Sequence, residues 1–356
     1  MRICCSPASH QAADCFPCNR EQVGGKGMFL QRMKAAGMPV PPFQCVTTQV
    51  TNALEYHPLD SQGLEPYFPG IGNAPEISLA NIRERLNLLL PSEQIRRECW
   101  LAGMAKFIAS DDFYAQVKDS EAARHIRDHG LSTSGPLIVR SSGINEDNYG
   151  DAQAGKYLSV VQGDEDVLRT CLKVMASAYR PEVCSEVIPQ PMALIIQQCI
   201  DCQYGGVAMS FKSFADDTIR VEFTPGQPRG AVAGQSGNTP HRIEISRKGR
   251  KGADSYQYFP GTISSQFILH RNNNGYSEKR MDGADVQSND GRQRLSDKMV
   301  SKLRKVVKKL EKLLFCPVDV EFAIDRQGRL FLLPTIRNRI FLTYWAGALQ
   351  GATTGT

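Results

Sequence analysis

The chain has 356 residues, of which 41% are hydrophobic and 22% are charged. That composition excludes wholesale disorder, and the length is enough for about two ordinary domains. The formal net charge of +5, from 42 Lys and Arg against 37 Asp and Glu, suits an anionic ligand but is too small to indicate nucleic acid. No apolar run reaches the ~18–20 residues of a membrane span, and the first residues lack a secretory signal. We therefore expect a soluble, cytoplasmic protein.

The chain contains 11 cysteines, an odd number scattered through apolar contexts, so we expect no disulfide framework. Near the N-terminus, Cys15 and Cys18 have the two-residue gap that zinc ligands use, but no second pair follows at a recognisable spacing. The sequence favours an N-terminal extension without stoichiometric metal, with a zinc site as the alternative.

The first predicted helix starts near Gly25 and stops at Gly37, because the prolines within residues 39–42 prevent its continuation. A short strand is predicted over residues 43–47. Apolar residues at helical spacing then indicate helices between residues 78 and 129.

Three short strands are predicted in the middle of the chain. Residues 137–139 are predicted as a buried strand, with Arg140 at its end. Residues 193–196 and 206–209 are predicted as two strands joined by a hairpin-like turn at 201–205.

The C-terminal part begins with residues 271–294, whose Asn, Gly, Asp and Arg content predicts a long surface loop. Ser296 then caps a helix with a strong apolar stripe. Two paired strands, at 318–324 and 329–333, turn at 325–328. The mixture of helices and short strands predicts an α+β (mixed α/β) enzyme fold.

The helix that follows Ser296 also carries a run of basic residues, namely Lys302, Arg304, Lys305, Lys308, Lys309 and Lys312. Such a run is usually the solvated face of an amphipathic helix. A nucleic-acid surface would need interleaved aromatic residues or a reader motif, which the sequence lacks, so the solvated face is favoured.

The segment Val23-Gly24-Gly25-Lys26-Gly27 places glycines and a lysine at the start of a helix. Backbone N–H groups and an ammonium in such a place can hold phosphate oxygens. The spacing is not that of a Walker motif. On the residues alone, a glycine-rich turn with a solvated lysine is the alternative.

A second candidate segment covers residues 139–147, followed by Gly150 and by Gly155 after Ala154. Arg140 is followed by two serine hydroxyls and a loop that contains several glycines. These groups together can bind an anion. A structural turn with an ion pair is the alternative.

The third candidate is Asp319-Val320-Glu321. Alternation along a strand puts both carboxylates on one face, with Val320 packed behind them. Two hard oxygen ligands suit Mg²⁺ that also touches nucleotide phosphates, and Arg337 comes near on the neighbouring strand. The alternative is a solvated edge strand.

Together these segments resemble the N-terminal nucleotide-binding domain of the phosphoenolpyruvate synthase and pyruvate, phosphate dikinase family, an ATP-grasp relative. The resemblance covers roughly residues 20 to 340 in the right order. Its motifs are residues 23–27 with 36–43, 140–147 with 154–155, 196–200 with 206–210, and 319–322.

The resemblance implies an ATP-grasp-like fold with ATP between an N-terminal lobe, residues 21–190, and a C-terminal lobe, residues 191–340. An extension, residues 1–20, and a tail, residues 341–356, would flank these lobes.

The resemblance also implies residue roles. The implied catalytic residues are Lys26, Arg140 and Arg337, and the implied metal ligands are Asp319 and Glu321. The implied nucleotide-binding residues are Lys26, Arg140, Ser141, Gly150, Gly155, Gln197, Cys199, Ile200 and Glu222.

The function implied is an ATP- and Mg²⁺-dependent phosphotransferase acting on a small molecule or on a partner protein. None of the 6 histidines lies in the family's phosphohistidine context, so three alternatives stay open: a separate partner protein carries the phosphohistidine, the domain acts directly on a small molecule, or it only binds nucleotide. No nucleic-acid or membrane partner is expected. An ATP-grasp ligase that uses an acyl phosphate is one alternative. A weakened nucleotide-binding regulatory module is another, since Ala152, Arg229 and Thr335 depart from the family pattern.

Overall fold

The computed structural model describes residues 19–72, 77–128, 130–131, 135–144, 157–180, 183–184, 192–210, 218–232, 238–248, 256–283 and 294–337. These residues form two compact units. The first comprises described residues within 19–28, 42–144 and 157–199, and the second comprises those within 29–41 and 200–337. Both units combine helices with β-sheet, which confirms the predicted mixed fold class.

The helices are α1 (Arg20–Ala35), α2 (Thr48–Glu55), α3 (Leu79–Leu88), α4 (Gln94–Ile108), α5 (Asp111–Val117), α6 (Glu121–Arg127), α7 (Val167–Ala176), α8 (Arg229–Val232) and α9 (Asp297–Leu314). The strands are β1 (Phe43–Val46), β2 (Leu137–Ser142), β3 (Ser159–Val161), β4 (Ala193–Gln198), β5 (Cys202–Met209), β6 (Thr218–Pro225), β7 (His241–Ser246), β8 (Tyr256–Phe259), β9 (Ser265–Asn272), β10 (Gly275–Asp282), β11 (Asp319–Asp325) and β12 (Leu330–Arg337). None of the helices in the described part of the chain combines the length and apolar character that a bilayer crossing requires.

The first unit has a four-stranded antiparallel sheet in the order β1-β4-β2-β3. One face of this sheet joins the apolar core of the surrounding helices through Val46, Val139, Leu194 and Ile196. Serine side chains begin three of these helices, because the hydroxyls of Ser78, Ser110 and Ser120 each accept a backbone N–H of the first helical turn. The opposite face carries Arg140, Ser142 and Gln197.

The second unit has a six-stranded antiparallel sheet in the order β12-β11-β5-β6-β7-β8. Its strands alternate between fully buried apolar residues and half-buried charged ones. Helix α9 contacts β5 and starts as predicted, since the Ser296 hydroxyl accepts the N–H of Met299. The predicted pair β11 and β12 is also confirmed.

The predicted hairpin between residues 193–196 and 206–209 is wrong. Strand β4 pairs with β1 and β2, whereas β5 pairs with β6 and β11 in the other sheet. The compact units therefore divide between Cys199 and Ile200, which places β4 in the first unit. The division of the whole chain into lobes, extension and tail stays a prediction, and residues 1–18 and 338–356 lie outside the described part.

The predicted loop over 271–294 is wrong in its first half. Strands β9 and β10 form a hairpin there, with Asn272 paired to Gly275. The turn residues are Asn273 and Asn274, and Gly275, which follows them with a φ of +92°, is the local signal for this hairpin, although the polar composition of the strands favours a loop. Residues 284–293 lie outside the described part.

Strand β2 is longer than predicted, because it continues through Arg140 to Ser142. Arg140 pairs with Ser159 of β3 on one side and with Ile195 of β4 on the other. It therefore lies within the sheet, not at the end of a strand.

Candidate functional site

The glycine-rich start of helix α1 lies directly against the end of strand β2. Gly25 donates its N–H to the carbonyl oxygen of Gly143 at 3.0 Å, and Gly27 donates its N–H to Ser142 Oγ at 3.0 Å. Gly24 has a φ of +68°, and a Cβ at this position would lie 1.9 Å from the carbonyl oxygen of Ser142. The glycines are therefore required for the close approach of two backbone segments.

This packing corrects one expected role of the motif. The N–H groups of Gly25 and Gly27 are already bonded within the chain, so they do not point at a phosphate site. The Lys26 side chain, which is half-buried, remains the cation of this segment. Ser142, one of the two hydroxyls predicted for an anion site, is bonded within the chain, since its buried hydroxyl also donates to the carbonyl oxygen of Val23 at 2.6 Å. Nothing in the local sequence distinguishes Ser142 from its neighbour.

Arg140 and Gln197 lie on the same face of the four-stranded sheet. The strand register pairs Arg140 with Ile195 and pairs Ile138 with Gln197, so the two polar residues are diagonal neighbours. The Gln197 side chain is fully buried, and both its amide oxygen and its amide nitrogen have no hydrogen-bond partner. Arg140 Nε is likewise buried and without a partner. Because such atoms cost free energy when they stay unpaired, this face has the polar groups of a ligand site.

The structure places the other predicted residues of the first unit differently. Ser141 is fully buried and alternates onto the opposite face, with Leu194, so it does not share the face of Arg140. Cys199 donates its N–H to the carbonyl oxygen of Pro136 at 2.8 Å. Gly150 and Gly155 lie outside the described residues.

Ile200, at the start of the second unit, is also involved in bonds within the chain. Its carbonyl oxygen accepts a hydrogen bond from Gln227 Nε2 at 2.8 Å. Gln227 lies two residues before Arg229, which departs from the family pattern. That segment is fixed to β9, since Gln227 donates its N–H to the carbonyl oxygen of Phe267 at 2.7 Å.

Strand β11 presents its two carboxylates as predicted. Asp319 and Glu321 are both half-buried on one face, whereas Val320 between them is fully buried on the other. Glu321 is paired with Val207 of β5, and Val207 is paired with Glu222 of β6. The three predicted carboxylates Asp319, Glu321 and Glu222 therefore share one face of the six-stranded sheet, with Glu222 two strands, or about 10 Å, from Glu321.

The backbone register also brings β12 to this place. Arg337 is the pairing partner of Asp319, and Ile336 is the partner of Val320. The register then shifts before Phe322. The extra residues of β12 at that shift include Pro334, which has no N–H to give to a ladder.

Glu222 lies in a wider charged network that sequence reasoning missed. Arg220 Nη1 is 3.9 Å from Glu222 Oε1, and Arg220 Nη2 is 3.3 Å from Glu244 Oε1. Arg242 Nε is 3.6 Å from the same Glu244 oxygen. The signal was present as a charged residue at every second position of β6 and β7.

The carboxylate set fits Mg²⁺ by its donor chemistry. Within the described residues, no cluster of three or more His, Cys, Asp or Glu side chains could hold a metal by itself. Two carboxylates are nevertheless a common protein contribution for Mg²⁺, which keeps several waters and binds substrate phosphates. The residues predicted for zinc, Cys15 and Cys18, lie outside the described part.

Arg229, which stands where the family has a carboxylate, contacts the β9–β10 hairpin. Its Nη1 lies 3.7 Å from Glu278 Oε2, and its guanidinium carbon lies 5.2 Å from the centre of the Phe267 ring. The side chain is 61% exposed. The substitution therefore gives a surface contact to the hairpin.

The sequence model of the pyruvate phosphate dikinase AMP/ATP-binding domain matches residues 20–339. The chain belongs to this family. Membership confirms the resemblance drawn from the motifs and, with it, the ATP-grasp-like fold expected of the family.

Two relatives are similar over large parts of the chain. A probable phosphoenolpyruvate synthase from Methanocaldococcus jannaschii is 22% identical over 87% of this chain and 25% of its own length. An uncharacterized phosphotransferase, YvkC, from Bacillus subtilis is 24% identical over 53% of this chain and 22% of its own length. The matched region thus spans about a quarter of each relative.

Solved structures give a more distant likeness. The D-alanine–D-alanine ligase of Bacillus anthracis matches 92% of this chain and 62% of its own, with 10% identity and a TM-score of 0.32. The N5-carboxyaminoimidazole synthetase of Staphylococcus aureus complexed with ADP matches 59% of this chain and 35% of its own, with 12% identity and a TM-score of 0.22. At TM-scores this low the assignment depends on the family match.

Proposed function

We propose that this chain is an ATP- and Mg²⁺-dependent phosphotransferase module that activates ATP for transfer of a phosphoryl group. The observation that carries the proposal is the sheet face of Arg140 and Gln197, where buried polar atoms have no partner within the chain. Membership of an AMP/ATP-binding family supports a nucleotide as their ligand.

Within the first unit, Lys26 and Arg140 are proposed to bind ATP phosphates. Negative charge is spread over the phosphoryl oxygens during transfer, so cations placed against them supply much of the catalysis. Gln197 is proposed to bind the adenine, because a side-chain amide offers one donor and one acceptor to the edge of that base. Cys199 and Ile200 would contribute apolar surface to the base.

Within the second unit, Asp319 and Glu321 are proposed to hold Mg²⁺, and Glu222 to contact the nucleotide. A bound Mg²⁺ would supply charge neutralisation of the phosphate oxygens. Arg337, opposite Asp319 in the register, is proposed to steady the phosphoryl group that is transferred. Without the metal, the carboxylate pair would repel a triphosphate, so the proposed function requires Mg²⁺.

We propose only the chemical class of the phosphoryl acceptor. The chain corresponds to about a quarter of its relatives, so it is assigned the part that binds and activates ATP. The acceptor would be a small molecule or a separate protein that carries a phosphohistidine.

The products formed from ATP test this function. The full chain is incubated with ATP and Mg²⁺, with and without cell extract, and the nucleotides are identified by mass spectrometry. AMP with phosphate supports dikinase-type chemistry, and ADP with a phosphorylated acceptor supports a simple kinase. Binding of ATP without any turnover would contradict the proposal and would favour the regulatory module.

A further inference from the structure

Helix α9 carries a stripe of six lysines that the nucleotide site does not use. We call it the lysine stripe, and its members are Lys298, Lys302, Lys305, Lys308, Lys309 and Lys312. At 3.6 residues per turn they fall within about 120° of the helix circumference and extend for about 21 Å along its axis. All six are exposed, and the apolar residues of α9 lie on the other side of the helix.

Neither acidic residue of α9 neutralises this stripe. Asp297 accepts a hydrogen bond from the Tyr256 hydroxyl at 2.7 Å, and Glu311 forms an ion pair with Arg247. Three pairs of stripe lysines lie four positions apart, a spacing at which like charges destabilise a helix. Lys308 and Lys309 donate to the carbonyl oxygens of Arg247 at 3.2 Å and of Ala36 at 2.6 Å, but no carboxylate among the described residues pairs with them, so the helix still concentrates positive charge on one side.

A second unusual feature lies three residues after the stripe. Phe315 ends α9 in the left-handed conformation, with a φ of +55°, at the position where helices usually have glycine. Its ring is also 91% exposed. Both the backbone conformation and the exposure are unfavourable, and packing within the chain offsets neither of them.

We infer that the lysine stripe and Phe315 form a docking surface for a partner protein that presents an acidic, elongated surface with an apolar pocket. Charge complementarity identifies the partner, since a straight row of lysines matches acidic residues spaced along a helix. Phe315 is the aromatic anchor that would enter the pocket. The inference does not depend on the proposed function, because no residue of this surface belongs to the nucleotide site.

Other anionic partners fit less well. Single-stranded nucleic acid is bound by several aromatic platforms, and this surface has one ring beyond its end. Duplex nucleic acid would be held through its phosphates, a salt-sensitive contact that gives no role to Phe315. A membrane-surface helix buries its apolar side in lipid, but the apolar residues of α9 are already buried in the second unit.

The test uses the full chain and three fluorescent or sedimenting probes at about 0.15 M salt. The probes are a helical peptide of about 15 residues with glutamates four positions apart and leucines at one end that offer apolar contact to Phe315, a thymidine oligonucleotide of about the same charge, and vesicles that contain phosphatidylserine. The stripe variant is Lys302→Gln with Lys305→Gln and Lys312→Gln. The control variant makes the same charge change at Lys106, Lys118 and Lys279, which are exposed elsewhere.

We expect the unaltered protein to bind the peptide more tightly than the oligonucleotide or the vesicles. The stripe variant should weaken peptide binding about tenfold, and the control less than about twofold. Phe315→Ser should weaken it several-fold with the same salt dependence, because it removes no charge. Equal losses in the stripe and control variants, or tighter binding of the oligonucleotide or the vesicles, would overturn the inference. Circular dichroism and the melting temperature verify that each variant is folded.

Discussion

Arg140 shows most clearly how the candidate site arises from single residues. The strand register makes Arg140 a diagonal neighbour of the fully buried Gln197 on one face of the sheet, and within the described residues Arg140 Nε and both polar atoms of the Gln197 side chain have no hydrogen-bond partner. A fold that left such groups unpaired for no purpose would lose stability. The proposed ligand, ATP, would offset this cost by pairing with them.

The first prediction concerns the affinity for ATP. Arg140→Ala and Lys26→Ala should each weaken ATP binding roughly 10- to 100-fold, since each removes a charge-assisted contact worth about 1.5–3 kcal/mol. Isothermal titration calorimetry measures the dissociation constants. Arg124→Ala, at an exposed position of α6, is the matched control and should bind as the unaltered chain does. Unchanged affinity and unchanged product formation in both site variants would refute the assignment.

The second prediction compares Gly24 with Gly37, since both residues have positive φ. A Cβ at Gly24 would collide with the backbone of Ser142, whereas nothing lies within 4 Å of a Cβ at Gly37. Gly37→Ala should therefore cost only the backbone strain, about 1–2 kcal/mol. Gly24→Ala should cost clearly more, because the turn must also shift, and denaturant unfolding measures both. If both substitutions lowered the free energy of unfolding equally, the close approach of Gly24 to Ser142 would not be what stabilises the turn.

The chemistry of these residues could be predicted from the sequence, but their contacts could not. Lys26 and Arg140 are identified by residue type and neighbouring glycines. The reason for the glycines is a strand more than a hundred residues away, a contact that no local pattern shows. Ser141 was assigned to the site by its place in the motif, and strand alternation turns it to the other face.

Secondary-structure elements were predicted well where their signals are local. Helix α9 has a serine cap and a strong apolar stripe, and the turn between β11 and β12 has its own polar residues. The partners of β4 and β5 were predicted wrongly, because pairing between strands is decided by contacts across the chain. Strands that follow one another along the chain are neighbours in a sheet only about two times in three.

The third prediction concerns the start of helix α7. Asp166 accepts the N–H of Leu168 at 3.1 Å and hydrogen bonds from Arg127 Nε at 2.7 Å and the Tyr114 hydroxyl at 2.9 Å. Burial alone would raise the pKa of Asp166, but these hydrogen bonds outweigh it and the pKa is lowered. The stability that it contributes is therefore present above the unfolded pKa of about 3.9 and is lost as the pH falls through the folded pKa.

Asp166→Asn should lower the free energy of unfolding by about 1–2 kcal/mol at neutral pH. The loss should shrink as the pH falls below about 4, where the aspartate is itself being protonated. Urea unfolding across this pH range is the measurement. Asp111→Asn is the control, because that carboxylate is 85% exposed and should contribute little. A loss of stability that did not change with pH would contradict the assigned role of the charge.

For the molecule as a whole, family membership accounts for residues 20–339 as a nucleotide-binding domain. The two sheets carry different kinds of polar side chain. The first presents cations and an amide, and the second presents carboxylates. The order of the motifs along the sequence was enough to recognise this domain. The acceptor could not be predicted, and the chain matches only about a quarter of the length of each relative.

The most direct test of the phosphotransferase account is the turnover of ATP by Glu321→Gln at saturating Mg²⁺. The substitution preserves the size of the side chain and removes one negative charge beside the phosphates. We predict that ATP binding persists while turnover falls by about two to three orders of magnitude, with a smaller loss for Asp319→Asn. Glu121→Gln, at an exposed position of α6, should turn over ATP as the unaltered chain does. Full turnover by Glu321→Gln would contradict the account, because the metal would then be held elsewhere.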